Sequence, residues 1–166
     1  MAITRTPIVD DDGSGTTGTV INNAWKQQFY DQIDAVAPGP PAWVDVPYSA
    51  SNFTASGAMT WTVDAGDQLL FRYAISGKVG LILFDISNTT VGGTPGTHLD
   101  ILLPVAVAPA SNLVLPIWLQ NPAGAMGFVN VVAATRIVQC YKDATLAANW
   151  TAGTARVVAA LTIAIV

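Results

Sequence analysis

Gln68-Leu69-Leu70-Phe71-Arg72-Tyr73-Ala74-Ile75 is followed by Ser76-Gly77-Lys78 and then by Gly80-Leu81-Ile82-Leu83-Phe84-Asp85-Ile86. This stretch decides the fold. Two short runs rich in aliphatic and aromatic residues flank a Gly-centred break, and that combination reads as a β-hairpin. Just upstream, Ala58-Met59-Thr60-Trp61-Thr62-Val63 alternates with period two and places Met59, Trp61 and Val63 on one buried face. Further strands are expected at 43–46, 98–103, 113–119, 128–133, 135–141 and 155–166. Turn signals separate the runs: Asp64-Ala65-Gly66-Asp67, Gly92-Gly93-Thr94-Pro95-Gly96, Asn121-Pro122-Ala123-Gly124 and Thr151-Ala152-Gly153. No helical pattern alternates with these strands, which argues against a parallel α/β fold. The expectation is a mainly β domain over 43–166, an antiparallel β-sandwich or jelly roll.

The residues before this domain are of a different kind. Residues 1–18 end in Asp10-Asp11-Asp12-Gly13-Ser14-Gly15-Thr16-Thr17-Gly18, polar and Gly-rich, and are expected to form a flexible attachment arm. In residues 19–37 the spacing of Ile21, Trp25, Phe29, Ile33 and Val36 places these side chains on one stripe of a short amphipathic helix, with Thr19 as its N-cap. A helix this short must pack on something, either the chain's own sheet or its copies in a bundle. Ile21, Trp25, Phe29 and Ile33 are therefore the expected oligomer or particle contacts. Residues 38–42 contain Pro38-Gly39-Pro40-Pro41, which stops the helix and makes a short stiff linker.

The 166 residues are 51% hydrophobic and 11% charged, where an ordinary globular chain is about a quarter charged. So few charges require that much of the surface be covered, most simply by copies of the same chain. The net charge is −4, all eleven acids are Asp, and the seven basic residues form no stripe, so nucleic acid is not an expected partner. No apolar run approaches the length needed to span a bilayer, and residues 1–12 contain no secretory signal core.

Candidate chemistry is sparse. His98 is the one histidine and Cys140 the one cysteine. No Gly-x-Ser-x-Gly elbow accompanies His98, which reads as a turn or surface histidine, and Cys140 reads as a small buried hydrophobe in a strand. Asp10-Asp11-Asp12-Gly13 fails as a calcium loop, because Ile21 stands where the twelfth-position carboxylate should be. Asp64 and Asp67 read as turn formers rather than as a paired-carboxylate site. The expectation is a chain with no catalytic residues, no metal and no cofactor. Of the aromatic residues Trp43, Tyr48, Trp61, Tyr73, Trp118 and Trp150, most are expected in the core. Trp150 lies in the turn-like Ala148-Asn149-Trp150-Thr151-Ala152 and is the aromatic expected to face a ligand.

Thr6-Pro7-Ile8-Val9-Asp10-Asp11-Asp12-Gly13-Ser14-Gly15-Thr16-Thr17-Gly18-Thr19, followed by Asn23-Ala24-Trp25 and a helix ending near Ile33-Asp34, resembles the start of tailed-phage virion structural proteins. The match covers the first quarter of the chain. The β domain is similar in architecture alone to small head-fibre, capsid-decoration and receptor-binding proteins. The resemblance implies attachment to the particle through the arm and helix, on the capsid surface in preference to the tail, with an oligomeric β domain outside. It implies a homotrimer, contacts with capsid or tail components, location in the virion after assembly in the host cytoplasm, and no catalytic residue. The alternative it leaves open is a tail-associated receptor-binding or carbohydrate-binding module that meets a host-surface glycan.

Overall fold

The computed structural model describes residues 23–36 and 41–166. The chain divides into two compact units, Met1–Pro41 and Ala42–Val166. In the first, helix α1 spans Asn23–Val36. Gln27 Nε2 donates to Asp31 Oδ1 one turn on, at 2.9 Å, a spacing that brings side chains together on a helix surface. Phe29 is exposed and Ile33 is partly buried. Ile21, the arm, the side chain of Trp25 and residues 37–40 of the linker region lie outside the described residues.

The second unit is mainly β and antiparallel. Its strands are β1 Val44–Asp45, β2 Phe53–Ala55, β3 Met59–Thr62, β4 Gln68–Ser76, β5 Val79–Gly93, β6 His98–Leu102, β7 Leu113–Gln120, β8 Gly124–Val132, β9 Ile137–Tyr141 and β10 Gly153–Ala164. Hydrogen bonding joins all of them in one ten-stranded sheet, in the order β1-β4-β5-β10-β7-β8-β9-β6-β2, with β3 on the far half of β5. The expected hairpin is there: Ser76 pairs with Val79 across a two-residue turn, and Gly77 takes the left-handed φ of 58° that the turn requires.

A single sheet forms because β5 and β10 run through both parts of the domain. The alternation predicts β5 only as far as Ile86, yet the strand continues to Gly93. Its first half pairs with β4 and its last residues pair with β3. At the junction, Ser87 and Asn88 together stand opposite Arg156 alone. This is a β-bulge, which bends a strand and increases its twist. Asn88 sits there at φ 60°, a conformation that asparagine tolerates better than most residues. The neighbouring Thr89 is fully buried. Its Oγ1 accepts from Trp61 Nε1 at 2.8 Å and donates to the Ala155 carbonyl at 2.9 Å, which satisfies polar atoms at the bend.

The curl encloses one core. Phe84, Ile86, Leu99, Ile101, Val129, Val131, Val138 and Val157 are each at most 1% exposed. Met59, Trp61 and Val63 share the buried face, as their alternation predicts. β2, the last strand in the ladder order, returns to β3: the Phe53 ring meets Trp61 edge-on, with centroids 5.4 Å apart.

The sheet forks at one place. β10 spans twelve residues, but β7 pairs only with Arg156, Val157 and Val158. Past Val158↔Trp118, the next equivalent position on β7 is Pro116, which lies opposite Phe128 of β8. A proline nitrogen carries no hydrogen to give to a ladder. Pro116 thus has no donor for either neighbour, and the pairing of β7 with β10 ends at Trp118, two residues short of it. Beyond it the two strands part.

Candidate functional site

The fork opens a groove of about 760 Å³ on the outer face of the sheet. Leu70, Leu83 and Val158 line one side, and Pro116, Trp118 and Met126 line the other. Trp118 is 44% exposed and Met126 67%. Trp118 faces outward by strand parity, since Ile117 and Leu119 on either side of it are buried. Its ring lies against Gly124, where an added Cβ would sit 3.2 Å from the indole. The Arg156 guanidinium lies 5.4 Å from the indole centroid, within cation–π range.

The ion pair Asp85–Arg156 borders this groove. Arg156 donates from Nε to Asp85 Oδ1 at 2.9 Å and from Nη2 to Asp85 Oδ2 at 2.7 Å. Such a two-pronged pair fixes both side chains and neutralises both charges. The groove is thus apolar, with one tryptophan, one methionine and a pair of charges that satisfy each other. Its chemistry suits apolar side chains. A sugar needs several convergent hydrogen-bonding groups, and Arg156 beside Trp118 already gives two of its N–H groups to Asp85.

Trp150 is elsewhere, and its place corrects the expectation. It is 1% exposed. Its Nε1 donates to the Cys140 carbonyl at 3.1 Å, and its backbone N–H donates to the Gly96 carbonyl at 2.8 Å. The turn-like residues around Trp150 carry it down onto the core instead of displaying it. Trp118, on β7, is exposed, as is Trp43 just before β1. The signal for Trp118 was present in sequence as an alternation, Leu115-Pro116-Ile117-Trp118-Leu119-Gln120, in which Trp118 shares parity with Pro116 and Gln120 rather than with the aliphatic set.

His98 belongs to a polar strip across β6, β9 and β8. Its Nδ1 lies 3.0 Å from Thr97 Oγ1, and its Nε2 lies 3.2 Å from Gln139 Nε2. The Gln139 amide nitrogen can only donate, so Nε2 is the acceptor in this contact. Gln139 Oε1 in turn accepts from Asn130 Nδ2 at 3.1 Å and from Tyr141 Oη at 3.2 Å. Asp100 Oδ1 stands 3.7 Å from His98 Nε2. Burial raises the Asp100 pKa above its ordinary 3.8, outweighing the opposing effects of His98 and Gln139. Burial, with Asp100 nearby, also pushes the Cys140 thiol up, so Cys140 is a buried neutral thiol in the core. Asp64 and Asp67 form the turn itself: Asp67 Oδ2 accepts from the Asp64 N–H at 2.9 Å, and the Asp64 carbonyl accepts from the Asp67 N–H at 3.0 Å. Among the described residues no group of three or more His, Cys, Asp or Glu side chains is placed to hold a metal ion.

A pH dependence follows from Asp100. Folded Asp100 holds its proton more tightly than the unfolded chain does. Its contribution to stability is therefore fully present below the unfolded pKa and is lost as pH rises through the folded pKa. Asp100→Asn removes that loss. The variant should melt a few degrees above the parent at pH 7, with the gap closing toward pH 3. Thermal melts across that range check it, and a parent-like melting temperature at pH 7 counts against it.

No protein-family model, curated protein or solved structure matches the chain.

Proposed function

We propose that this chain is a phage virion structural protein. It attaches to the particle through its N-terminal arm and α1, on the capsid surface as a decoration or head-fibre protein, and carries an oligomeric β domain outside. The reading assigns no catalytic step, cofactor or metal. The observation that carries it is the division of the chain. The chain divides into two units, Met1–Pro41 and Ala42–Val166. Among the described residues the core cluster runs from Phe53 to Ile165 in the second, and the first has an apolar stripe of its own in sequence, Ile21, Trp25, Phe29 and Ile33, which supports attachment through that segment. Repeated attachment on a lattice gains avidity without tight individual contacts.

Immunogold labelling with an antibody against residues 42–166 tests this. Particles recovered from the producing culture should carry label on intact capsids. Label confined to tails would favour the receptor-binding alternative, and unlabelled particles would refute a virion role. That alternative, a tail-associated glycan-binding module, now has to rest on the exposed Trp43 or Trp118, since Trp150 is buried.

A further inference from the structure

We propose that His98 is a proton-operated latch: while neutral it bonds across to Gln139 on β9, and on taking up a proton at Nε2 it releases Gln139 and pairs with Asp100 along its own strand, β6. This goes beyond the proposed function and does not depend on it.

The register brings the three side chains together. Leu99 and Ile101 of β6 are fully buried, so His98 and Asp100, of the other parity, share the outer face. Their side chains are 21% and 19% exposed. Tyr141 stands opposite His98, and Gln139 stands opposite Asp100. Gln139 reaches back along the ladder to His98 Nε2 at 3.2 Å and fills the acceptor of the neutral ring. Asp100 Oδ1 stands 3.7 Å from the same nitrogen, buried and without a hydrogen-bond partner. A buried acceptor left unpaired costs its full desolvation. The nitrogen beside it has no hydrogen to give while His98 is neutral.

A proton taken from solvent onto Nε2 reverses both contacts. Two donors would then face each other at Gln139, so that contact opens. The new N–H and its positive charge go to Asp100 Oδ1, which gains a donor and a counter-charge at once. Gln139 Oε1 still accepts from Asn130 Nδ2 and Tyr141 Oη. Thr97 Oγ1, 3.0 Å from Nδ1, can donate or accept and so suits both forms of the ring. The other groups facing His98 do not compete for its charge. Tyr141 on β9 packs its ring 5.2 Å away, and burial, then Asp100, push its hydroxyl up and keep it neutral. β8 presents the neutral Asn130, and on the β2 side Ser56 Oγ accepts the His98 backbone N–H at 3.2 Å. Burial raises Asp100 while His98 draws it down, so a charged imidazole and an ionised Asp100 favour each other. Acid thus moves a side-chain tie from between β6 and β9 to within β6, the strand on which β2 is paired.

Heteronuclear NMR on the full chain, from about pH 8 to about pH 5, brackets an ordinary imidazole and tests the latch. The Gln139 side-chain NH2 and the His98 ring signals should follow one titration curve. The Asn121 NH2, held by the Thr151 and Thr154 carbonyls, should not follow it. Two substitutions should move the curve in opposite directions. Asp100→Asn removes the partner of the charged ring, so the same change should take about threefold more acid. Gln139→Met removes the donor to the neutral ring and should take about threefold less. A general loosening of the strip would not give opposite signs. Circular dichroism establishes that each variant is folded, and the parent's own Gln139 signal decides the matter if one is not. A Gln139 NH2 that stays put while His98 titrates overturns the latch. So does a curve that Asp100→Asn leaves in place, or one that both substitutions move the same way.

Discussion

Trp150→Ala should cost the β domain about 3–5 kcal/mol, the range for deleting a large aromatic side chain from a packed core. Trp150 is 1% exposed and is the largest of the fully buried side chains among the described residues. The loss has two parts. Removing the indole empties a space that the surrounding strands can only partly refill, and the Cys140 carbonyl loses the Nε1–H that it accepts at 3.1 Å. A domain with only about 5–15 kcal/mol in hand would be left close to unfolding at body temperature. Trp150→Phe keeps most of the apolar volume and gives up the hydrogen bond, so it should cost less, about 1–2 kcal/mol. Urea unfolding followed by far-ultraviolet circular dichroism measures both. An unchanged midpoint for Trp150→Ala would mean that the side chain is not packed, and would restore it as a ligand-facing residue.

Gly127→Ala should be nearly as damaging, although it adds a single carbon. Gly127 lies inside the sheet on β8, opposite Ile117 of β7. A Cβ there would overlap the Leu119 side chain and stand 2.5 Å from the backbone carbonyl oxygen of Tyr141. Leu119 is 1% exposed and has nowhere to retreat. The carbonyl belongs to β9, so relief requires two paired strands to move. Overpacking of this kind costs about 1–3 kcal/mol, and more where backbone must shift. Gly66→Ala is the matched control. Nothing lies within 4 Å of its Cβ position, and its effect should stay within about 0.5 kcal/mol. Similar midpoints for the two variants would show that β7, β8 and β9 are looser around Leu119 than the packing implies.

Gly127 also explains where the sequence reading of this strand fell short. The strand is expected from Phe128, after the turn signal Asn121-Pro122-Ala123-Gly124. It begins at Gly124. Gly127 is required inside the strand, because Leu119 from the neighbouring strand occupies the space a side chain there would fill. β2 was missed for a related reason. Three residues, Phe53–Ala55, are too few to display a period, and they become a strand by pairing with β6.

What the sequence determined by itself is what neighbouring residues settle among themselves. Period-two alternation put Met59, Trp61 and Val63 on one face. The Gly77 turn joined β4 to β5, and Asp64 and Asp67 closed their own turn. These outcomes rest on side-chain direction along an extended chain and on local hydrogen bonds, so a short window of sequence contains their causes. The tertiary structure decided what depends on residues far apart in the chain. Trp61, Thr89 and Ala155 together stabilise the bend that lets β5 continue to Gly93 and keeps ten strands in one sheet. Cys140 and Gly96 draw Trp150 inward from a segment that reads as a surface turn. Pro116 parts β7 from β10 and leaves Trp118 at the edge of a groove. Each requires surfaces that exist only after the sheet has curled, because burial and the missing donor act between strands, and no local pattern states which strands will meet.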